Sequence, residues 1–120
     1  MAKIESREKW NDTGIDLVEG QEYEYEAIGQ WKDGYMNPCH AEGYSNFWLD
    51  LLSWTKRSRR AKWFQLIGVV DKNTKTPLYN IYFSNEGTFT AQASGRLWAF
   101  ANDADIAYCN NSGSIELNIY

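Results

Sequence analysis

From Glu22 to Gly29 the chain reads Glu-Tyr-Glu-Tyr-Glu-Ala-Ile-Gly, alternating polar and apolar residues. A period of two puts Tyr23 and Tyr25 on one face of a half-buried strand and Glu22, Glu24 and Glu26 on the other, which predicts a solvated outer face. Before it, Ile15 to Val18 predicts a short strand entered through a turn at Trp10–Gly14, where Asn-Asp-Thr-Gly is turn chemistry. The run Trp63 to Val70 is apolar but for Gln65 and predicts a buried strand. Pro77–Phe83, Thr88–Ala93, Leu97–Phe100 and Ile115–Ile119 are further strand-length apolar or alternating runs. Between them lie Asp71–Thr76, Ser84–Gly87 and Ser94-Gly95, all rich in turn residues. Gln30–Gly43 reads as a loop because Gly34, Pro38 and Gly43 interrupt it, and Tyr44–Trp54 fits a short helical face as well as a strand. Many short strands with glycine-marked turns and no long helix predict an all-β antiparallel sandwich over residues 1–120 as one domain.

Composition narrows the function classes. A net charge of −4 argues against nucleic acid as the main partner. Only Lys56-Arg57-Ser58-Arg59-Arg60-Ala61-Lys62 is basic, and a solvated connection is the expectation there. No apolar run reaches the roughly 18 residues that a membrane helix needs. Met1 to Arg7 lacks the apolar centre of a secretory signal, so the expectation is a cytoplasmic protein, one exported by another route, or a mature form. On the same ground Cys39 and Cys109 are expected as free thiols. Six Trp and eight Tyr are many for 120 residues, and aromatic side chains both favour strands and line ligand sites.

The stretch that carries chemistry is Asn102-Asp103-Ala104-Asp105-Ile106-Ala107-Tyr108-Cys109-Asn110-Asn111-Ser112-Gly113-Ser114, a predicted loop between two strands. Carboxylate and carboxamide oxygens are the hard ligands that Ca²⁺ takes, although Asn, Asp, Ser and Gly are also ordinary turn residues. An EF-hand is excluded: counting from Asp103, the position needing Gly holds Tyr108 and the position needing Glu holds Ser114.

The spacing of Asn102-Asp103, six residues, then Asn110-Asn111-Ser112-Gly113-Ser114 before an alternating strand resembles the calcium loop of the PA-IL-type galactophilic lectins, small bacterial sugar-binding proteins. The resemblance implies a jelly-roll, galactose-binding-domain-like β-sandwich with one Ca²⁺ held by the side chains of Asp103, Asn110 and Asn111. Main-chain carbonyls of Ala107 and of Tyr35, which follows Gly29 and Trp31 at a similar position, complete that implied set. About two of the 6–8 positions of Ca²⁺ then stay open for carbohydrate hydroxyls. The implied sugar contacts are Asp103, Asn110 and Tyr35. The family's His and Gln sugar contacts are not matched, since ungapped counting puts Trp48 and Leu51 there. His40, from a differently gapped loop, could substitute, and Trp31 or Trp48 could stack on a sugar face. A homo-oligomer is implied as well. The alternative reading is a sandwich with a structural or protein-binding role whose loop calcium only stabilises.

Enzymatic expectations are thin. His40 is the lone histidine, and neither a nucleophile-elbow motif nor a selected carboxylate pair is present. A zinc site wants about four Cys or His ligands and the chain has three.

Overall fold

The computed structural model describes residues 1–33, 38–44, 56–58, 61–103, 108 and 111–120. Two four-stranded antiparallel sheets face one another. The strands are β1 (Ala2–Glu5), β2 (Asn11–Leu17), β3 (Glu22–Asp33), β4 (Leu66–Val70), β5 (Ile81–Tyr82), β6 (Glu86–Thr90), β7 (Gly95–Ala101) and β8 (Asn111–Ile119). One sheet runs β1-β8-β3-β6 and the other β2-β7-β4-β5. The expected all-β sandwich is the observed fold.

The alternation of β3 does what it predicts: Tyr23, Tyr25 and Ala27 are buried while Glu22 and Glu24 are exposed. They meet Leu66, Leu97, Ala99, Ile115 and Leu117 between the sheets. Phe83 meets Tyr25 and Phe89 edge-on, and Tyr25 and Phe89 lie tilted to each other, with ring centres 4.8 to 6.2 Å apart. Gly68 lets the sheets close here, because a Cβ on it would lie 2.8 Å from Phe83 Cε2 and 3.0 Å from Leu97 Cδ1.

Strand β4 is apolar throughout because both its faces are covered. Leu66 and Val70 join the central core. Ile67 and Val69 join Phe100, Ala61 and Trp10 in a second apolar cluster on the outer side of the sheet.

Several local expectations are corrected. Asn11–Gly14 is not a turn before a strand but the bulged start of β2, with the register against β7 shifting between Asp12 and Asp16. Its Asx turn, Gly14 N–H to Asp12 Oδ1 at 2.9 Å, is accommodated inside that bulge. The loop expected from Gln30 is strand as far as Asp33, because β8 continues to pair with it from Ser114 to Asn111. Pro77–Tyr79 is a single 3₁₀ turn, and only Ile81-Tyr82 of that run pairs. The N-terminus adds an edge strand that its short pattern did not announce. The possible helix at Tyr44–Trp54 lies, beyond Tyr44, outside the described residues.

Candidate functional site

The sandwich carries the 102–111 segment at one end, between the last residue of β7 and the first of β8. Asn102 follows Ala101 and is fully buried. Its Oδ1 accepts from Ser58 N–H at 2.9 Å, and its Nδ2 donates to Ser58 O and Lys62 O, both at 2.9 Å. The Asn102 carbonyl accepts from Phe64 N–H at 2.7 Å. Phe64 itself sits at φ +60°, a left-handed backbone rare for a bulky side chain. Packing over-determines that conformation: Phe64 is fully buried, and its carbonyl accepts from the Trp31 indole at 3.0 Å.

Asp103 comes next and is 2% exposed, a carboxylate held almost out of water. Its main-chain carbonyl accepts from Arg57 N–H at 3.3 Å. Tyr108, also buried, donates its hydroxyl to Ala101 O and accepts from Arg57 Nη1 at 3.0 Å. Burial pushes its phenol up to about 12; the Arg57 charge opposes that rise, and the Asp103 charge adds to it. On the far side of the loop Asn111 opens β8 opposite Asp33. Its Nδ2 donates to Ser6 O at 2.9 Å, while its Oδ1 is buried with no hydrogen-bond donor among the described residues.

A buried amide oxygen without a donor is costly unless something electropositive reaches it. The buried Asp103 carboxylate at the other end of the loop is a second hard oxygen, and the two would belong to one donor set only if the loop brings them together. Such a set fits Ca²⁺ and does not suit a soft metal. Among the described residues no group of three or more His, Cys, Asp or Glu could hold a metal ion.

Of the residues singled out from sequence, Asp103 and Asn111 stand at the two ends of this loop. Tyr35, Ala107, Asn110 and Trp48 lie outside the described residues, as do Leu51, Cys109 and Asp105. His40 is exposed, with Nδ1 3.1 Å from Gly29 O and Nε2 3.2 Å from Gln30 Nε2, which ties it to β3. Trp31 is not available to stack on a sugar: at 1% exposure its ring meets Phe64 edge-on inside the core.

Sequence reading missed the part played by the basic segment. Lys56 is buried, donates to Ala61 O at 2.9 Å and lies 5.3 Å from the Trp63 ring centre. The Arg57 guanidinium lies 3.6 Å from the Phe100 ring centre, 4.6 Å from Trp10 and 5.4 Å from Tyr108. For Lys56 and Arg57 this corrects the expectation of a solvated connection; Lys62 is exposed as expected, and Arg59 and Arg60 lie outside the described residues. The flat, weakly hydrated Arg57 guanidinium packs against aromatic faces, and the Lys56 ammonium is buried beside Trp63 with a carbonyl to donate to. The available signal was the coincidence of that cluster with many tryptophans, which says nothing of which ring meets which cation.

No protein-family model matches the chain, and no curated protein matches it in sequence. Among solved structures it is similar to one described as the EclA N-terminal domain, a PllA-like lectin. The two share 16% identity and a TM-score of 0.68, covering 99% of this chain and 92% of that one. At that identity the likeness is one of fold, a two-sheet β-sandwich.

Proposed function

We propose that this protein is a non-enzymatic carbohydrate-binding domain of the PA-IL type that holds sugar through a resident Ca²⁺ at the 102–111 loop. The observation that carries the reading is the Asn111 amide oxygen, buried without a donor among the described residues at the foot of a loop whose other end is the buried Asp103 carboxylate. The lectin-like fold supports it, since the solved structure it resembles is described as a lectin.

Asp103 and Asn111 would hold the ion, joined by Asn110 and by the carbonyls of Tyr35 and Ala107 if the resemblance extends to them. When bound, Ca²⁺ would offer its unfilled positions to vicinal sugar hydroxyls. The chain's own part is to keep the donors aimed beforehand: Ser6 fixes the Asn111 amide, and Arg57 fixes the main chain at Asp103. Galactose-type sugars are the first to test, with His40 and Trp48 as candidate contacts outside the metal shell.

One observation favours the second reading, a structural or protein-binding sandwich. The Asn102 and Arg57 contacts bind the loop to the 56–62 segment through the chain's own side chains. A glycan array probed in calcium and again in chelator separates the two. The lectin reading expects spots that chelator erases. A blank array beside a calcium-raised melting temperature leaves the structural reading standing, and calcium-independent spots rule out the metal-bridged mechanism.

A further inference from the structure

On the calcium reading of the 102–111 loop, we infer that Ser6, in the connection from β1 to β2, is a positioning residue for the ion: it decides which atom of the Asn111 carboxamide is left to a cation. Ser6 lies one residue past the β1–β8 ladder, which ends with Glu5 opposite Ser114, and it is fully buried. Its carbonyl accepts from Asn111 Nδ2 at 2.9 Å. A carbonyl oxygen can only accept, so it selects the NH₂ end of the carboxamide. Turned over, the amide would set Oδ1 against the Ser6 oxygen, two acceptors facing each other away from water. With Nδ2 held by Ser6, Oδ1 is the atom left for an electropositive partner, and it has no donor among the described residues. Only that oxygen end of a carboxamide is a ligand for Ca²⁺.

The Ser6 carbonyl is itself held in place. Ser6 N–H and the Ser6 hydroxyl both donate to Gly113 O, at 3.2 and 3.0 Å. Gly113 gives β8 a left-handed backbone at φ +87°, and a Cβ there would lie 2.9 Å from both Gln30 O and Trp31 Cα of β3. The residue that Ser6 grips is therefore pressed against β3 and has little room to shift. The far end of the connection is fixed as well. Asn11 Nδ2 donates to Glu5 O at 3.0 Å and to Ala99 O at 3.1 Å, and its Oδ1 accepts from Glu5 N–H at 2.9 Å. The β1–β2 corner is thus bonded to both strands that the candidate loop joins, β7 at Ala99 and β8 at Gly113.

Two measurements on the full chain test this. In chelator, the Asn111 side-chain NH₂ should exchange with solvent more slowly than the exposed carboxamide of Gln21, and Ser6→Ala should lose much of that protection. In calorimetric titration with calcium chloride, Ser6→Ala should bind about tenfold more weakly, the scale on which groups that aim a metal ligand act. Thr13→Ala removes another buried hydroxyl, which donates to Leu97 O at 2.7 Å, and should lower the melting temperature with calcium affinity unchanged. A parent protein that takes up no calcium ends the calcium reading and this inference with it. Calcium bound equally well by the parent and by Ser6→Ala overturns the inference alone. So does an equal loss of affinity in Thr13→Ala, which would mark the Ser6 effect as one of stability. An Asn111 amide that exchanges as fast as that of Gln21 in the parent also overturns it, and that measurement needs no variant.

Discussion

The side chain of Asn102 and the main chain of Ser58 exchange two hydrogen bonds, each 2.9 Å long, across 44 residues of sequence. The carboxamide thus does for the 56–62 segment what a neighbouring strand would do, satisfying its backbone at the point where it crosses the end of the sandwich.

Replacing Asn102 by Ala should therefore cost far more than a surface asparagine would. Ser58 N–H and the Ser58 carbonyl lose this partner at once, while the Lys62 carbonyl keeps the Gln65 N–H, and each stranded buried group costs about 1–3 kcal/mol. A loss of about 3–4 kcal/mol in urea unfolding is expected. A loss under about 1 kcal/mol would mean that water replaces the carboxamide at no great cost.

Arg57 should be nearly as sensitive, and lysine should not rescue it. Its guanidinium lies against Phe100 and Trp10 while donating to Lys9 O and to the Tyr108 hydroxyl. Lysine brings the charge without the flat, many-donor shape. Arg57→Lys should cost about 1–2 kcal/mol and change tryptophan emission, since Trp10 loses a stacked cation. Equal stability and emission in both proteins would show that charge alone holds the segment.

Alkali should reveal Tyr108. An unfolded tyrosine loses its proton near pH 10, whereas burial holds the Tyr108 proton to about 12. A phenol raised in the folded state contributes its full stability below about pH 10 and loses it as the pH climbs towards 12. The slope of unfolding free energy against pH in that window should be shallower in Tyr108→Phe than in the parent. Tyrosinate absorbance should show one fewer late-ionising group in the variant.

Calcium should raise the melting temperature, because an ion that binds only the folded chain adds about 2.7 kcal/mol at a hundred times its dissociation constant. Asn111→Ala should lose the bond to Ser6, cost about 1–2 kcal/mol without calcium and abolish the calcium increment. Identical melting of the parent protein in calcium and in chelator would remove the ion from the account.

The sandwich was legible because its signal is local. Strand β3 announces its buried face by a period of two, and β4 announces two-sided burial by having no polar residue at all. The candidate loop was legible only as composition and spacing. Asp103 and Asn111 have the required oxygens by residue type, but nothing in their spacing states that both are 2% exposed. Trp31 shows the converse, an aromatic whose place beside a suspected loop suggested ligand stacking and whose indole instead closes the core against Phe64.

What residue order alone settled, then, is the all-β class, the inward face of β3 and the position of an oxygen-rich turn between β7 and β8. Each depends on neighbours within a few positions, where side-chain direction is dictated by strand geometry. Tertiary structure alone decided that Arg57 and Lys56 belong among aromatic rings, that Asn102 ties the 56–62 segment to the end of β7, and that Asn111 leaves an oxygen buried with no donor among the described residues. Those facts arise where segments far apart in sequence meet, and only the closed fold determines which cation meets which ring and which oxygen is shut away from water.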